Sequence, residues 1–216
     1  MAKFGCLLLA AGEASRMGRP KQLLDFDGVP LIRHAALEAL AVCAPVVVVC
    51  GAVVDPIRHA LSGLDVEVAA NQHWEQGMGT SIQAGLQRLK AFEVDGLILA
   101  LGDQPLAGRE AYRKLIATQQ TSEMPIVSSQ YAGTVGVPAL FKREFFPALA
   151  TLGPTQGCKG VIQRNLERCA LVDCPDAAAD IDTPEDYIQV LTAYRRRREL
   201  DDIRHESTGV SWLSSA

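Results

Sequence analysis

Arg16, Arg19 and Lys21 lie within the stretch LAAGEASRMGRPKQLL, residues 9 to 24, directly behind an apolar run that begins at Phe4. Three cations interleaved with small residues suit a polyanion. Gly12 and Gly18 permit positive φ and close backbone approach, and amides in such a turn can cradle phosphates. A nucleoside triphosphate is the leading ligand for that chemistry. No GK[ST] sequence closes the loop, so it is not a P-loop. The charges alone would fit a solvated basic surface loop equally well.

Asp103 supplies the complementary chemistry. The run GLILAL delivers it to the C-terminal end of a buried strand, in the turn Gly102-Asp103-Gln104-Pro105. Ligands of open α/β sheets bind at that edge. An aspartate there can hold Mg²⁺, which takes few carboxylates and keeps water and phosphate oxygens in its shell. The same aspartate would equally favour a plain turn before proline. Asp180 and Asp182, in DIDTP, would point to one side of an extended segment and offer a second metal ligand. Asp182 would alternatively serve the positive end of a following helix. In NQHWEQGMGTSIQAGL, residues 71 to 86, two glycines precede an amphipathic helix whose free amides near Thr80 and Ser81 suit a base or phosphate. Trp74 and Met78 fit local packing better than a nucleotide stack, and His73 has no metal-binding partner pattern.

These residues need a scaffold that brings distant segments to one sheet edge. CLLLA near the start, PVVVVC at 45 to 50, VEVAA at 66 to 70 and GLILAL at 96 to 101 alternate with helical patterns. That alternation predicts an α/β fold, a mainly parallel sheet with helices on both faces. Leu31, Ile32, Ala35, Leu37 and Leu40 predict a helix from near Pro30; Ile82, Leu86 and Leu89 predict another after Gly79. A helix around Glu110 to Thr118 and strands at PIVSS and VPALF follow. Pro138 argues against a central strand there and favours an edge or a strand start. Thr183-Pro184-Glu185-Asp186 predicts a helix start, with an N-cap, proline at the first position and an acid at N3.

The expected organisation is one domain over 1–194 and a frayed or disordered tail over 195–216, in which four consecutive arginines read as a solvated helix end without function. There is no internal repeat. The 21 basic and 25 acidic residues give a net charge of -4, which argues against broad nucleic-acid binding. Six cysteines without CxxC spacing fit buried thiols in a reducing cytoplasm. FGCLLLAA is short and runs straight into GEASRMGRPK without a plausible mature start, so it reads as the first strand rather than as a secretory signal. No stretch approaches the roughly 20 apolar residues of a membrane span.

Four ordered motifs, LAAGEASRMGRPKQLL, GMGTSIQAGL, GDQPL and DIDTPEDY, resemble the MobA-like nucleotidyltransferase family over roughly residues 4 to 192, and within it the molybdenum cofactor cytidylyltransferase group. The resemblance implies a Rossmann-like nucleotidyltransferase fold and Mg²⁺-dependent transfer of a nucleoside monophosphate to a phosphorylated small acceptor such as molybdopterin. It implies catalytic roles for Arg16, Lys21 and Asp103. Leu9, Ala10, Ala11, Gly12, Arg16, Lys21, Gly79 and Ser81 would bind nucleotide, and Asp103 with Asp182 the metal, Asp180 remaining an alternative to Asp182. Ala11, in LAAG rather than LAGG, leans toward CTP. A molybdoenzyme or its chaperone would be a protein partner. One departure bears on the acceptor: Gly136-Val137-Pro138 has valine where the group often carries histidine. A sugar- or polyol-phosphate acceptor, or a non-catalytic nucleotide-binding regulator, are the competing readings.

Overall fold

The computed structural model describes residues 2–12 and 18–207, with side chains through residue 203. In chain order the elements are β1 (Phe4–Ala10), the short hairpin β2 (Asp25–Phe26) and β3 (Val29–Pro30), α1 (Leu31–Leu40), β4 (Val46–Cys50), α2 (Val54–Ala60), β5 (Val66–Ala70), α3 (Met78–Leu89), β6 (Gly96–Leu101) and α4 (Arg109–Ser122). There follow β7 (Ile126–Tyr131), β8 (Thr134–Lys142), α5 (Phe146–Ala150), α6 (Lys159–Gln163), β9 (Cys169–Asp173) and α7 (Pro184–Ser207). Seven strands make one sheet in the order β5-β4-β1-β6-β8-β7-β9. Every neighbouring pair is parallel except those involving β8, which runs against both β6 and β7. The expected mainly parallel sheet with helices on both faces is the one observed.

The period of two explains why β1 and β4 are apolar at every position. Cys6, Leu8 and Ala10 face a cluster that includes Ile32 and Ala36 of α1, Ile57 of α2 and Leu115 of α4. Leu7 and Leu9 face the opposite cluster, with Ile82 and Leu86 of α3, Leu149 of α5 and Ile162 of α6. A strand covered on both sides has no polar face to show.

Pro138 corrects one expectation, because β8 lies in the interior of the sheet with proline in its middle. Pairing with β6 stops at Leu99↔Ala139, one residue short of it. Pairing with β7 jumps from Ser128↔Ala139 to Ser129↔Gly136, so Val137 and Pro138 bulge out of the ladder. Two fully buried hydroxyls satisfy the carbonyls freed there: Ser128 Oγ donates to Gly136 O at 2.9 Å and Ser129 Oγ to Pro138 O at 2.7 Å. The residue without an N–H thus sits in the bulge, where no ladder partner faces it.

Helix α7 begins as its sequence dictates. The Asp186 N–H donates to Thr183 Oγ1 at 3.1 Å, and the Thr183 N–H donates to Asp186 Oδ2 at 2.8 Å, a reciprocal cap. The chain from 195 onward, expected to fray, remains helical through Ser207; residues 208–216 lie outside the described residues. Its arginines are not simply solvated. Arg195 Nε donates to Asp27 Oδ1 at 3.1 Å, Arg198 also pairs with Asp27, and Arg197 grips both Asp176 oxygens at 2.7 and 2.8 Å. The apolar cluster of Leu24, Phe26, Leu31, Ile181 and Val190 packs α7 against the segment that follows Lys21, where Asp27 takes two of these arginines, while Arg197 ties α7 to residues 175–178. All six cysteines are free. Among the described residues no helix is long and apolar enough to cross a membrane.

Candidate active site

The C-terminal ends of β1 and β6 are tied side by side by the Gly102 N–H, which donates to Leu9 O at 2.9 Å. Beyond β1 the chain opens into the glycine-bearing turn, where Gly18 takes φ 65. Gln22, nearly fully buried, fixes the start of that turn by donating from Nε2 to Ala10 O and Gly12 O, each at 3.0 Å. Lys21 opens a single 3-10 turn and sends its side chain inward.

Its ammonium is the centre of the site. Lys21 Nζ donates to Asp103 Oδ2 at 2.6 Å, to Asp182 Oδ1 at 2.8 Å and to Ile181 O at 3.1 Å. All three of its protons are thus committed. The two acidic segments are also joined through their backbones, since the Ile181 N–H donates to Asp103 O at 3.0 Å. Burial alone would lower the lysine pKa, but the charges and hydrogen bonds of Asp103 and Asp182 together raise it. Lys21 therefore stays cationic at neutral pH.

Asp180 is placed differently. Gln104 Nε2 donates to Asp180 Oδ1 at 2.7 Å, and burial, reinforced by Asp103 and Asp182, pushes the Asp180 carboxyl above its ordinary range. The carboxylate that shares a cation with Asp103 is that of Asp182.

These residues fit a divalent cation. Asp103 Oδ1 is buried without a hydrogen-bond partner among the described residues, an unusual state for a carboxylate oxygen. Two converging carboxylates are also about what Mg²⁺ takes from protein when phosphates complete its shell. No group of three or more His, Cys, Asp or Glu side chains among the described residues forms a closed metal cage.

A cleft of about 420 Å³ opens beside this cluster, lined by Leu9, Ala10, Ala11, Gly12, Lys21, Ser81 and Asp103 among the residues expected from the sequence. Gln22, Trp74, Glu75, Gly77, Met78, Leu101 and Gly102 also line it. Gln22 was legible only as the polar neighbour of Lys21. Trp74 serves both readings, because it lines the cleft and also packs on Gly51, where an added Cβ would meet its Cγ at 2.5 Å. Arg16 lies outside the described residues.

Gly79, expected to meet the nucleotide, is not among the residues that line this cleft and packs against the 153–155 loop. Its N–H donates to Pro154 O at 2.8 Å, and an added Cβ would run into the Gly153 carbonyl. Two backbones pass there at a distance that tolerates no side chain. Gly79→Ala is expected to displace the 153–155 loop and destabilise the protein by about 1–3 kcal/mol, read as a lower midpoint in a denaturant melt. An unchanged midpoint would show that the loop yields freely. Val137 is buried in the apolar cluster with Phe141, Leu149 and Ile162.

Residues 6–169 match the model of the MobA-like NTP transferase domain. The chain is 29% identical over 198 residues to nicotine blue oxidoreductase of Paenarthrobacter nicotinovorans, across 86% of this chain and 95% of that protein. It is 21% identical over 196 residues to molybdenum cofactor cytidylyltransferase of Escherichia coli (strain K12), across 90% of this chain and 98% of that protein. The crystal structure of Rv0371c from Mycobacterium tuberculosis H37Rv in complex with manganese superposes with a TM-score of 0.66 at 28% identity, covering 88% of this chain and 98% of that one.

Proposed function

This chain belongs to the MobA-like NTP transferase family, a family of nucleotidyltransferases, and from that premise we propose that it moves CMP from CTP to a phosphorylated small molecule such as molybdopterin, with Mg²⁺ as cofactor. The observation that carries the reading is the convergence of Asp103 and Asp182 on one cation beside the cleft walled by residues 9–12. Manganese in the Rv0371c complex supports a divalent metal in such a site. CTP is favoured by Ala11.

In this reading an acceptor phosphate oxygen, already ionised at neutral pH, attacks the α-phosphorus. The new P–O bond forms as the bond to the bridging oxygen breaks, and pyrophosphate leaves with the electron pair. No general base is required, so the protein's work is alignment and charge neutralisation. Arg16 binds the triphosphate, and Lys21, once its ammonium gives up Asp103 and Asp182 to Mg²⁺, turns to the same tail; the backbone of Leu9 to Gly12 meets the nucleotide, and Ser81 contacts it from the facing wall. Asp103 and Asp182 would hold Mg²⁺, which supplies charge stabilisation at the transferring phosphoryl group. The six free cysteines favour a reducing cytoplasm for this reaction, with a molybdoenzyme or its chaperone as the recipient of the product.

The test is pyrophosphate release with each of the four NTPs, with and without molybdopterin, a sugar phosphate and a polyol phosphate. Turnover with CTP and molybdopterin is the expected result. Turnover with another acceptor would reassign the substrate, and nucleotide binding without turnover for any acceptor would make the protein a nucleotide sensor.

A further inference from the structure

Asn71 stands at the end of β5, 5% exposed, with its side chain fully committed. Its Oδ1 accepts from the His73 N–H at 2.9 Å, while Nδ2 donates to Thr80 Oγ1 at 2.8 Å and to Ser81 Oγ at 3.0 Å. A hydroxyl has one proton and two lone pairs. Thr80 directs its proton toward the carbonyls of His73 and Gly77, at 2.9 and 2.8 Å. Ser81 is different. Its oxygen accepts from Asn71, its own proton has no acceptor among the described residues, and the side chain is 4% exposed on the cleft wall. Buried polar groups are rarely left in that state without a ligand to complete them.

We infer that Asn71 is a positioning residue that sets the polarity of Ser81. Because the amide donates, the serine proton is left to donate into the cleft, and the wall selects a nucleobase atom that accepts a hydrogen bond. On cytosine those atoms are the ring carbonyl O2 and the ring nitrogen N3; the exocyclic amino group is a donor and is disfavoured there. The inference rests on the proposed nucleotide reading of the cleft and adds to it a named determinant of how the base is held.

The test is a double-mutant cycle read as the dissociation constant of CTP with Mg²⁺ by calorimetry, without acceptor. Ser81→Ala is expected to weaken CTP about ten-fold, the scale of one lost hydrogen bond to a buried site. Asn71→Ala should weaken it comparably, and the double variant should be no weaker than Ser81→Ala alone, because Asn71 acts through the serine. A residue that merely supports the loop would multiply the losses to about 100-fold. Should Asn71→Ala melt at the assay temperature, Asn71→Asp keeps the shape and reverses the bond. Its carboxylate takes the serine proton and turns lone pairs to the cleft. It is then expected to weaken CTP more with Ser81 present than in the Ser81→Ala background, where only the new charge acts. Unchanged CTP binding in either Asn71 variant, or multiplied losses, would overturn this inference alone. Failure of the unsubstituted protein to bind any of the four NTPs would overturn the nucleotide reading and this inference with it.

Discussion

Lys21→Met is expected to cut CTP-dependent pyrophosphate release by at least about 100-fold and to lower the melting temperature of the metal-free protein by about 2–8 °C. Saturating Mg²⁺ should recover most of the melting temperature and none of the turnover. Both effects follow from one ammonium that serves Asp103 at 2.6 Å, Asp182 at 2.8 Å and the Ile181 carbonyl at 3.1 Å. Methionine fills the stem's volume and removes the charge, so two carboxylates are left facing one another. Breaking a deeply buried pair costs about 3–5 kcal/mol. Here the Asp182 side chain is 50% exposed, so water screens much of the repulsion and about 1–2 kcal/mol is the fitting scale. A divalent cation between the carboxylates replaces the missing charge, but it does not replace the contact to the triphosphate that turnover needs. Melts in chelator and in Mg²⁺, beside a pyrophosphate assay, separate the two roles. No metal-dependent recovery would remove the carboxylates as a metal site, and an unchanged rate would remove Lys21 from the mechanism.

The parts of this molecule that were readable from sequence are those where local pattern and tertiary role coincide. β1, β4 and β6 are apolar at nearly every position because both faces are covered, and the Thr183 cap sits next to the helix it starts. Pro138 misled because its tolerance depends on Ser128 and Ser129 of a neighbouring strand and on a register jump, none of which local propensity encodes. β9 escaped notice because it is largely half-exposed with no clean alternation, and the β2–β3 hairpin because each strand has two residues. In the site, Asp103 and Lys21 were legible as residue types in distinctive contexts. Their bond to each other spans 82 positions, and that of Lys21 to Asp182 spans 161, so the pairing is a product of the fold. Gly79 carries a constraint that its place at a helix start does not reveal: the missing side chain makes room for another backbone. The arginine run looked like solvated charge because its partners lie outside the helix, Asp27 being 168 positions from Arg195 and Asp176 being 21 from Arg197.

Asparagine substitutions at the three aspartates should rank Asp103 first, Asp182 second and Asp180 last in their effect on turnover. Asp103→Asn is expected to lose about 1,000-fold or more, since that side chain sits at the end of a buried strand with one oxygen on Lys21 and the other buried and unpartnered. An amide there presents one oxygen and an uncharged nitrogen, which serves neither a cation nor the lysine. Asp182→Asn should lose about 10- to 100-fold, because the side chain leads into α7 and is half in solvent, where water can take over part of its coordination. Asp180→Asn should stay within about three-fold, since asparagine oxygen still accepts from Gln104 Nε2. The Asp180 variant carries a second readout with a definite sign. Burial, with Asp103 and Asp182, raises the Asp180 pKa in the folded state. Above the ordinary aspartate value of about 4 the unfolded chain has already released this proton while the folded chain still holds it, so stability falls as pH rises through that window. Removing the charge should flatten that fall, giving Asp180→Asn a gain over the parent at pH 7 that shrinks toward pH 4 in denaturant melts. A loss of turnover in Asp180→Asn as deep as that of Asp103→Asn, without the stability gain, would transfer the second metal-binding role from Asp182 to Asp180. The lysine would then be bridging a carboxylate that the reaction does not use.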